Sequence, residues 1–272
     1  MEVSLFHRLS GAWFGAIALE DDSSICMAQD EAKEKFLGFL NGEPTKSSKI
    51  ESHKDSLHSA LALLPVMLFY HEDPQYMDAR LQDFNLPAEH KPLISDLAQW
   101  VSGALRERWT VNNLKSWIIE HRIQTEPLAS RFLLECHDRH DSWRKYRQTL
   151  SSLPISSAMK KILLVYGALL YGNLHVSRCL PLLKNELPIV LCWEMILLGC
   201  VRGDRHLSTN SLNTKQSLQI YTLQQDVLAF WSRWLGLPTG NKLQLDQIPV
   251  MANCQVIQSR SNLNLVSQNH LT

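Results

Sequence analysis

The segment FHRLSGAWFGAIALE, residues 6–20, decides the fold because it carries two helical patterns at once. Its larger apolar residues recur at three- and four-residue steps, which is typical of a helix with one buried stripe. These residues are Phe6, Leu9, Trp13, Ala16 and Ile17. A second face carries only small residues, including Gly11 and Gly15. A glycine inside a helix costs about 1 kcal/mol relative to alanine, and we expect this small face to let a second helix approach closely.

Helical periodicity continues along the chain, whereas strand patterns are scarce. It predicts further helices over Leu57–Tyr70, Pro92–Arg108, a segment capped by Thr110, Ala158–Tyr171 capped by Ser156 or Ser157, His175–Leu183, Pro188–Val201 and Ser217–Leu235. Between the segment at Thr110 and Ala158, it predicts one long helix that Thr125 and Pro127 open. The apolar stripe of that long helix carries Phe132, Cys136, His140, Trp143 and Leu150. Pro65 must kink its helix or begin a new one.

The pattern changes near the C-terminal end of the sequence. Residues 239–272 are rich in Asn, Gln and Ser and lack helical periodicity, which is typical of an extended or disordered tail. We therefore predict an all-α fold: one compact multi-helix domain over residues 1–238, followed by a polar tail over residues 239–272.

The composition excludes several classes of protein. Hydrophobic residues make up 45% and charged residues 20%, which is ordinary for a globular protein and excludes collagen, coiled coil and wholesale disorder. Lys+Arg and Asp+Glu both number 27, and this zero net charge argues against a general nucleic-acid or acidic-membrane binder. No apolar run reaches about 18 residues, so no transmembrane helix is expected. The six cysteines have no metal-site or redox spacing, which favours a reducing, cytoplasmic location.

The densest polar cluster is CHDRHD, residues 136–141. On a continuous helix, Cys136 and His140 would share a face and could supply two ligands of a metal, although zinc needs three or four. The same two residues lie on an apolar stripe, which favours a core thiol and a core histidine.

Basic and aromatic residues interleave just after this cluster. Arg139, Trp143, Arg144 and Arg147 are our candidate ligand-binding or interface residues. Such interleaving can bind phosphates and stack bases, but the neighbouring acids offset the charge and favour a solvated helix face. Nucleic acid is therefore an unexpected partner. A protein partner is expected, because Trp and Arg are enriched in interface hot spots and the chain has eight tryptophans.

The N-terminal segment also resembles a known family. Gly11, Ala12, Gly15 and Ala16 match the opening helix of the ADP-ribosylglycohydrolases, which typically reads G-A-x-x-G-x-A-x-G-D; the closing Gly-Asp reads Leu19-Glu20 here. Three further segments resemble helices of that family, namely Ser59–Tyr70, Ala158–Leu183 and Pro188–Gly203. The resemblance implies an all-α fold with a binuclear Mg²⁺ site that positions ADP-ribose and activates water.

The acidic motifs of the family are missing from this chain. Its metal ligands come from a Thr-Asp-Asp-Thr stretch and a late Gly-Asp-x-Asp-Thr stretch, and Glu186-Leu187-Pro188-Ile189 occupies the place of the second. Glu20, Asp21 and Glu186 could rebuild at most one weak Mg²⁺ site, whereas two-metal hydrolysis needs both ions. We therefore assign no catalytic residue and no cofactor.

Three functions remain open at this point. The first is a catalytically inactive protein of this type that binds a protein or an ADP-ribose-like ligand. The second is an unrelated all-α interaction or scaffold protein. The third is a Mg²⁺-dependent ADP-ribosyl hydrolase with a rearranged site at the acids of the matched helix ends, namely Glu20, Asp21, Glu72, Asp73 or Glu186.

Overall fold

The computed structural model describes residues 3–17, 23–40, 55–107, 109–120, 127–204 and 226–235. Within these ranges the chain forms thirteen helices and no strand. They are α1 (Leu5–Ile17), α2 (Ser23–Leu40), α3 (Ser56–Ala62), α4 (Leu64–Phe69), α5 (Pro74–Gln82), α6 (Lys91–Glu107), α7 (Val111–Glu120), α8 (Pro127–Asp138), α9 (Trp143–Ser152), α10 (Ser157–Tyr171), α11 (Val176–Leu183), α12 (Pro188–Arg202) and α13 (226–234). The all-α prediction is confirmed.

Helices α1 and α12 form the closest helix–helix contact among the described residues. A Cβ added to Gly199 would lie 2.2 Å from the carbonyl carbon and oxygen of Gly11, and one added to Gly15 would lie 2.5 Å from the carbonyl carbon of Met195. These distances leave room only for hydrogen, so the two backbones touch directly. The small face that the sequence predicts for α1 is therefore the face that receives α12.

Helix α12 is the centre of the fold. Every residue from Ile189 to Val201 is buried except Leu191, which is half-buried. The helix packs against α1, α3, α6, α10 and α11. The indole nitrogen of Trp193 donates a hydrogen bond of 3.1 Å to the carbonyl oxygen of Leu57 at the start of α3. Burial of this helix on all sides explains why its sequence is apolar almost throughout.

The eight tryptophans belong mainly to the core. Seven are buried, and Trp143 is half-buried. Trp100 stacks on Tyr166 and meets Trp109 and Trp117 edge-on. Large aromatic side chains dominate core energetics, so this packing accounts for most of the tryptophans without an external partner.

The structure corrects the predicted long helix after Pro127. It consists of two helices, α8 and α9, because His140 has a φ of 54° and Ser142 caps α9 by accepting a hydrogen bond from the Lys145 N–H. The positive φ ends the first helix, since residues with a Cβ rarely adopt it within one. The expected common face of Cys136 and His140 is therefore wrong: Cys136 is buried and His140 is exposed.

Other helix ends follow local signals. Pro65 begins a new helix, α4, after the short α3, so the second of its two predicted outcomes is confirmed. Ser156 is the cap of α10. Asp73 begins α5 by accepting a hydrogen bond from the Tyr76 N–H, with Pro74 as its first residue. That helix was not predicted, although an acidic cap followed by proline is a known start signal.

Several predictions fall on residues outside the described ranges. These are Glu20 and Asp21, the tail over 239–272 and residues 217–225 of the last predicted helix; residues 226–234 of that helix are helical. Among the helices of the described ranges, none combines the length and the apolar character needed to cross a bilayer.

Candidate functional site

Glu186 and Arg147 were predicted for two different sites, and the structure pairs them with each other. A guanidinium nitrogen of Arg147 on α9 donates a hydrogen bond to Oε1 of Glu186, which lies between α11 and α12. The Glu186 side chain is 16% exposed. Charge-assisted hydrogen bonds of this kind are about twice as strong as neutral ones. The carboxylate is therefore already engaged by a cation of the chain itself.

The other two predicted arginines are both exposed, and one of them bonds to its own helix. Arg139 donates from Nε to the Glu135 carbonyl oxygen at 3.1 Å and from a terminal nitrogen to the Cys136 sulfur at 3.7 Å. Burial raises the pKa of the Cys136 thiol, and the Arg139 guanidinium opposes that increase. Arg144 is exposed, and it has no ion-pair partner among the described residues.

Acidic and aromatic residues complete the contacts of this region. Lys145 Nζ lies 2.6 Å from Oδ1 of Asp141, and its hydrogen bond lowers the pKa of that carboxyl. The Trp143 indole nitrogen donates to the Leu182 carbonyl oxygen at 3.2 Å, and its ring stacks on Tyr146. The aromatic half of the predicted patch thus points into the protein, and the basic half faces solvent.

Exposed apolar surface lies next to the Arg147–Glu186 pair. Leu187, the residue before α12, is 54% exposed. We call Arg144, Arg147 and Leu187 the α9 surface. Leu187 follows Glu186 directly, so an exposed aliphatic side chain lies close to Arg147, and arginine is enriched at protein interfaces.

The most unusual side chain of the core, Glu194 on α12, was not predicted from the sequence. It is fully buried, and neither carboxyl oxygen has a hydrogen-bond partner. Burial raises its pKa to about 8, because removal from water disfavours the charged form. The sequence feature that could have identified it is a single glutamate inside the apolar run Ile189–Val201.

Glu194 lies close to a buried thiol on the neighbouring helix. Burial raises the pKa of Cys179 on α11 to about 12, and the charge of Glu194 adds to that increase. The Cys179 sulfur rests against Gly172, where an added Cβ would be only 2.3 Å away. Cys179 and Glu194 are thus both buried, on two helices that pack against each other.

Two further polar pairs link separate helices. Ser59 Oγ lies 3.3 Å from Nδ1 of His90, and His7 Nδ1 lies 3.0 Å from Oδ1 of Asp204. A serine beside a histidine is the arrangement of a nucleophile and its base, but Ser59 is 1% exposed and a substrate could not reach it. We interpret both pairs as ties between elements.

Of the remaining candidate acids, Asp73 has a structural role, Glu72 is half-buried, and Glu20 and Asp21 lie outside the described residues. Asp73 caps α5, as described above. Within the described residues, no group of three or more His, Cys, Asp or Glu side chains is arranged to hold a metal ion. Comparison of the chain with protein-family models, with curated proteins and with solved structures finds no match.

Proposed function

We propose that this protein is an ADP-ribosylglycohydrolase-like protein that acts by binding an ADP-ribose-like ligand or a protein partner and does not hydrolyse ADP-ribosyl bonds. The observation that supports it is the packing of three of the resembling segments around the fourth. Helices α1, α3, α10 and α11, which belong to the first three segments, all pack against α12, which is the fourth.

The contacts among these segments involve the same residues that carry the resemblance. Gly11 and Gly15 contact α12 through backbone atoms, and Gly199 provides the opposing small residue. A common helical core requires the matching glycines to meet, and this contact supports the resemblance.

The state of Glu186 supports a binding role over hydrolysis. Of the three candidate Mg²⁺ ligands, it is the one whose side chain the structure describes, and Arg147 holds it. Mg²⁺ selects oxygen ligands and sheds its water reluctantly, so it would have to displace an arginine from a partly buried carboxylate. The rearranged hydrolase is the less favoured interpretation for that reason.

Calorimetric titration with ADP-ribose, with and without Mg²⁺, tests the proposal. A micromolar Kd, about −8 kcal/mol, is expected without Mg²⁺, together with no release of ADP-ribose from a modified protein. The variant Glu186→Gln removes the acid and should leave that affinity unchanged. Mg²⁺-dependent release that Glu186→Gln abolishes would establish the rearranged hydrolase instead.

A protein-binding role through the α9 surface is the second candidate, favoured by the exposure of Leu187. If it is correct, the double variant Arg144→Glu/Leu187→Ser should lose a partner that the parent protein retains in a cross-linking pull-down. Met27 on α2 is 55% exposed, so Met27→Ser is a matched control that should retain it. Equal recovery with all three proteins would refute the role of this surface.

A further inference from the structure

We propose that α11 is a proton-controlled cover: loss of the Glu194 proton opens it and exposes the Cys179 thiol. In the closed state both side chains are fully buried. The carboxyl oxygens of Glu194 have no hydrogen-bond partner, so nothing on the protein compensates a negative charge there. An ionised carboxylate must gain contact with water, and some element must move to admit it.

Of the helices that pack against α12, α11 buries the fewest side chains. Only Cys179 and Leu183 of its eight residues are buried, and Pro181 lies inside it. Proline removes a backbone hydrogen bond from a helix interior. By contrast, α1 and α12 are locked by backbone contacts at their glycines. Segments with few buried apolar side chains open at low free energy, independently of the rest of a protein.

The turn that leads into α11 is strained. Asn173 and Leu174 both have positive φ values, 55° and 57°. Asparagine adopts such values readily, but Leu174 does so only at an energetic cost. The N-cap residue of α11, His175, makes no side-chain capping hydrogen bond. Arg202 holds the turn from outside by donating from Nε to the Leu174 carbonyl oxygen at 2.8 Å.

Few charged groups face Glu194. Cys179 faces it from α11, and the charge of Arg202 reaches Cys179 from the end of α12. Among the described residues, no charged group of α1, α3, α6 or α10 contributes to the pKa of Glu194, which burial alone raises. Titratable groups of those helices have other neighbours. Arg8 donates to the Ala104 carbonyl oxygen, and Lys161 pairs with Asp55. Tyr166 stacks on Trp100, and the charge of Asp96 contributes to its raised pKa.

The direction of the response follows from proton linkage. The closed state holds the Glu194 proton up to about pH 8, whereas an opened, hydrated carboxyl loses it near its ordinary value of 4.5. The equilibrium constant for opening of α11 therefore rises about tenfold for each pH unit between these values. Above pH 8 the effect levels off.

The rate of modification of each cysteine by 4,4′-dithiodipyridine, followed by mass spectrometry, tests this proposal. Dividing the rate in the denatured chain by the native rate at each pH gives a protection factor and cancels the ionisation of the thiol itself. We expect the protection of Cys179 to fall about tenfold per pH unit from pH 5 to 8. It should also be at least tenfold lower than that of Cys192 and Cys200, which are buried on α12 and report global unfolding.

Four variants distinguish local opening of α11 from a general loss of stability. Glu194→Gln, or Glu194→Met if the amide folds poorly, should make the protection of Cys179 independent of pH. Glu89→Gln, at an exposed position, should leave the pH dependence intact. Gly172→Ala places a Cβ against the Cys179 sulfur and should lower protection at every pH. Equal protection of Cys179, Cys192 and Cys200 would refute the proposal, as would a pH dependence that survives in Glu194→Gln.

Discussion

Replacing Glu194 with glutamine should change how the stability of the whole protein depends on pH. The folded protein raises the pKa of this carboxyl to about 8 from an ordinary value of 4.5. The folded state therefore binds the proton more tightly than the unfolded chain does. Raising the pH between these two values favours the unfolded chain, so the contribution of Glu194 destabilises the protein progressively from about pH 4.5 to pH 8.

The magnitude follows from the two pKa values. One pH unit corresponds to about 1.4 kcal/mol, so the interval from 4.5 to 8 lowers the free energy of unfolding by about 5 kcal/mol. This value is an upper bound, since opening of α11 would hydrate the carboxylate at a lower cost. Against a typical total stability of about 5–15 kcal/mol, the effect is large. Glutamine has nearly the same shape as the protonated acid and does not ionise.

Urea denaturation followed by tryptophan fluorescence measures this effect, because seven tryptophans are buried. Between pH 5 and pH 8 the stability of Glu194→Gln relative to the parent should rise by up to about 4 kcal/mol. Glu89→Gln, at an exposed site, should follow the parent at every pH. If the parent and Glu194→Gln kept a constant difference over this range, the inference of a neutral buried carboxyl would be wrong.

Two further substitutions test the packing and the caps. Gly199→Ala forces a Cβ into the backbone of Gly11 and should lower the free energy of unfolding by about 2 kcal/mol, measured by urea denaturation; an unchanged midpoint would contradict the described crossing. Burial alone would raise the pKa of Asp55, but hydrogen bonds from Lys161 and the Leu57 N–H hold it below its ordinary value. This carboxylate stabilises the fold above the pKa of the unfolded chain, and the stabilisation is lost as the pH falls through the folded value. Asp55→Asn keeps the N-cap. It should lower the free energy of unfolding by about 1 kcal/mol relative to the parent at pH 7, and it should have no effect at a pH low enough to protonate Asp55. An equal loss at these two pH values would exclude the ion pair.

The sequence predicted the parts of this fold that depend on local chemistry. The small face of α1 could be recognised because Gly11 and Gly15 are four residues apart and share one side of a helix. The cap of α10 and the new helix at Pro65 depend on a few neighbouring residues, and both were among the predicted alternatives. Such features are encoded within about one helical turn.

The sequence-based predictions were wrong where an apolar spacing pattern continued past the end of one helix and into the next. The apolar spacing from Phe132 to Leu150 fits one helix, yet His140 adopts a left-handed conformation and Ser142 starts a second helix. The Arg147–Glu186 pair joins positions 39 residues apart, and no spacing rule connects them. Glu194 was passed over because a lone acid in an apolar run shows its isolation only after the neighbouring helices have packed around it.

The position of Glu194 gives the clearest physical reason to seek function in this interior. Its neighbours on α12 already achieve complete burial with apolar side chains, and an apolar residue of similar size would remove the pH-dependent penalty at no loss of packing. Natural proteins break such local rules mainly at functional or strained sites. Here the lightly held α11, with its buried Cys179 thiol, packs beside this carboxyl. A residue that destabilises the closed state as it loses its proton is what a cover of this kind requires.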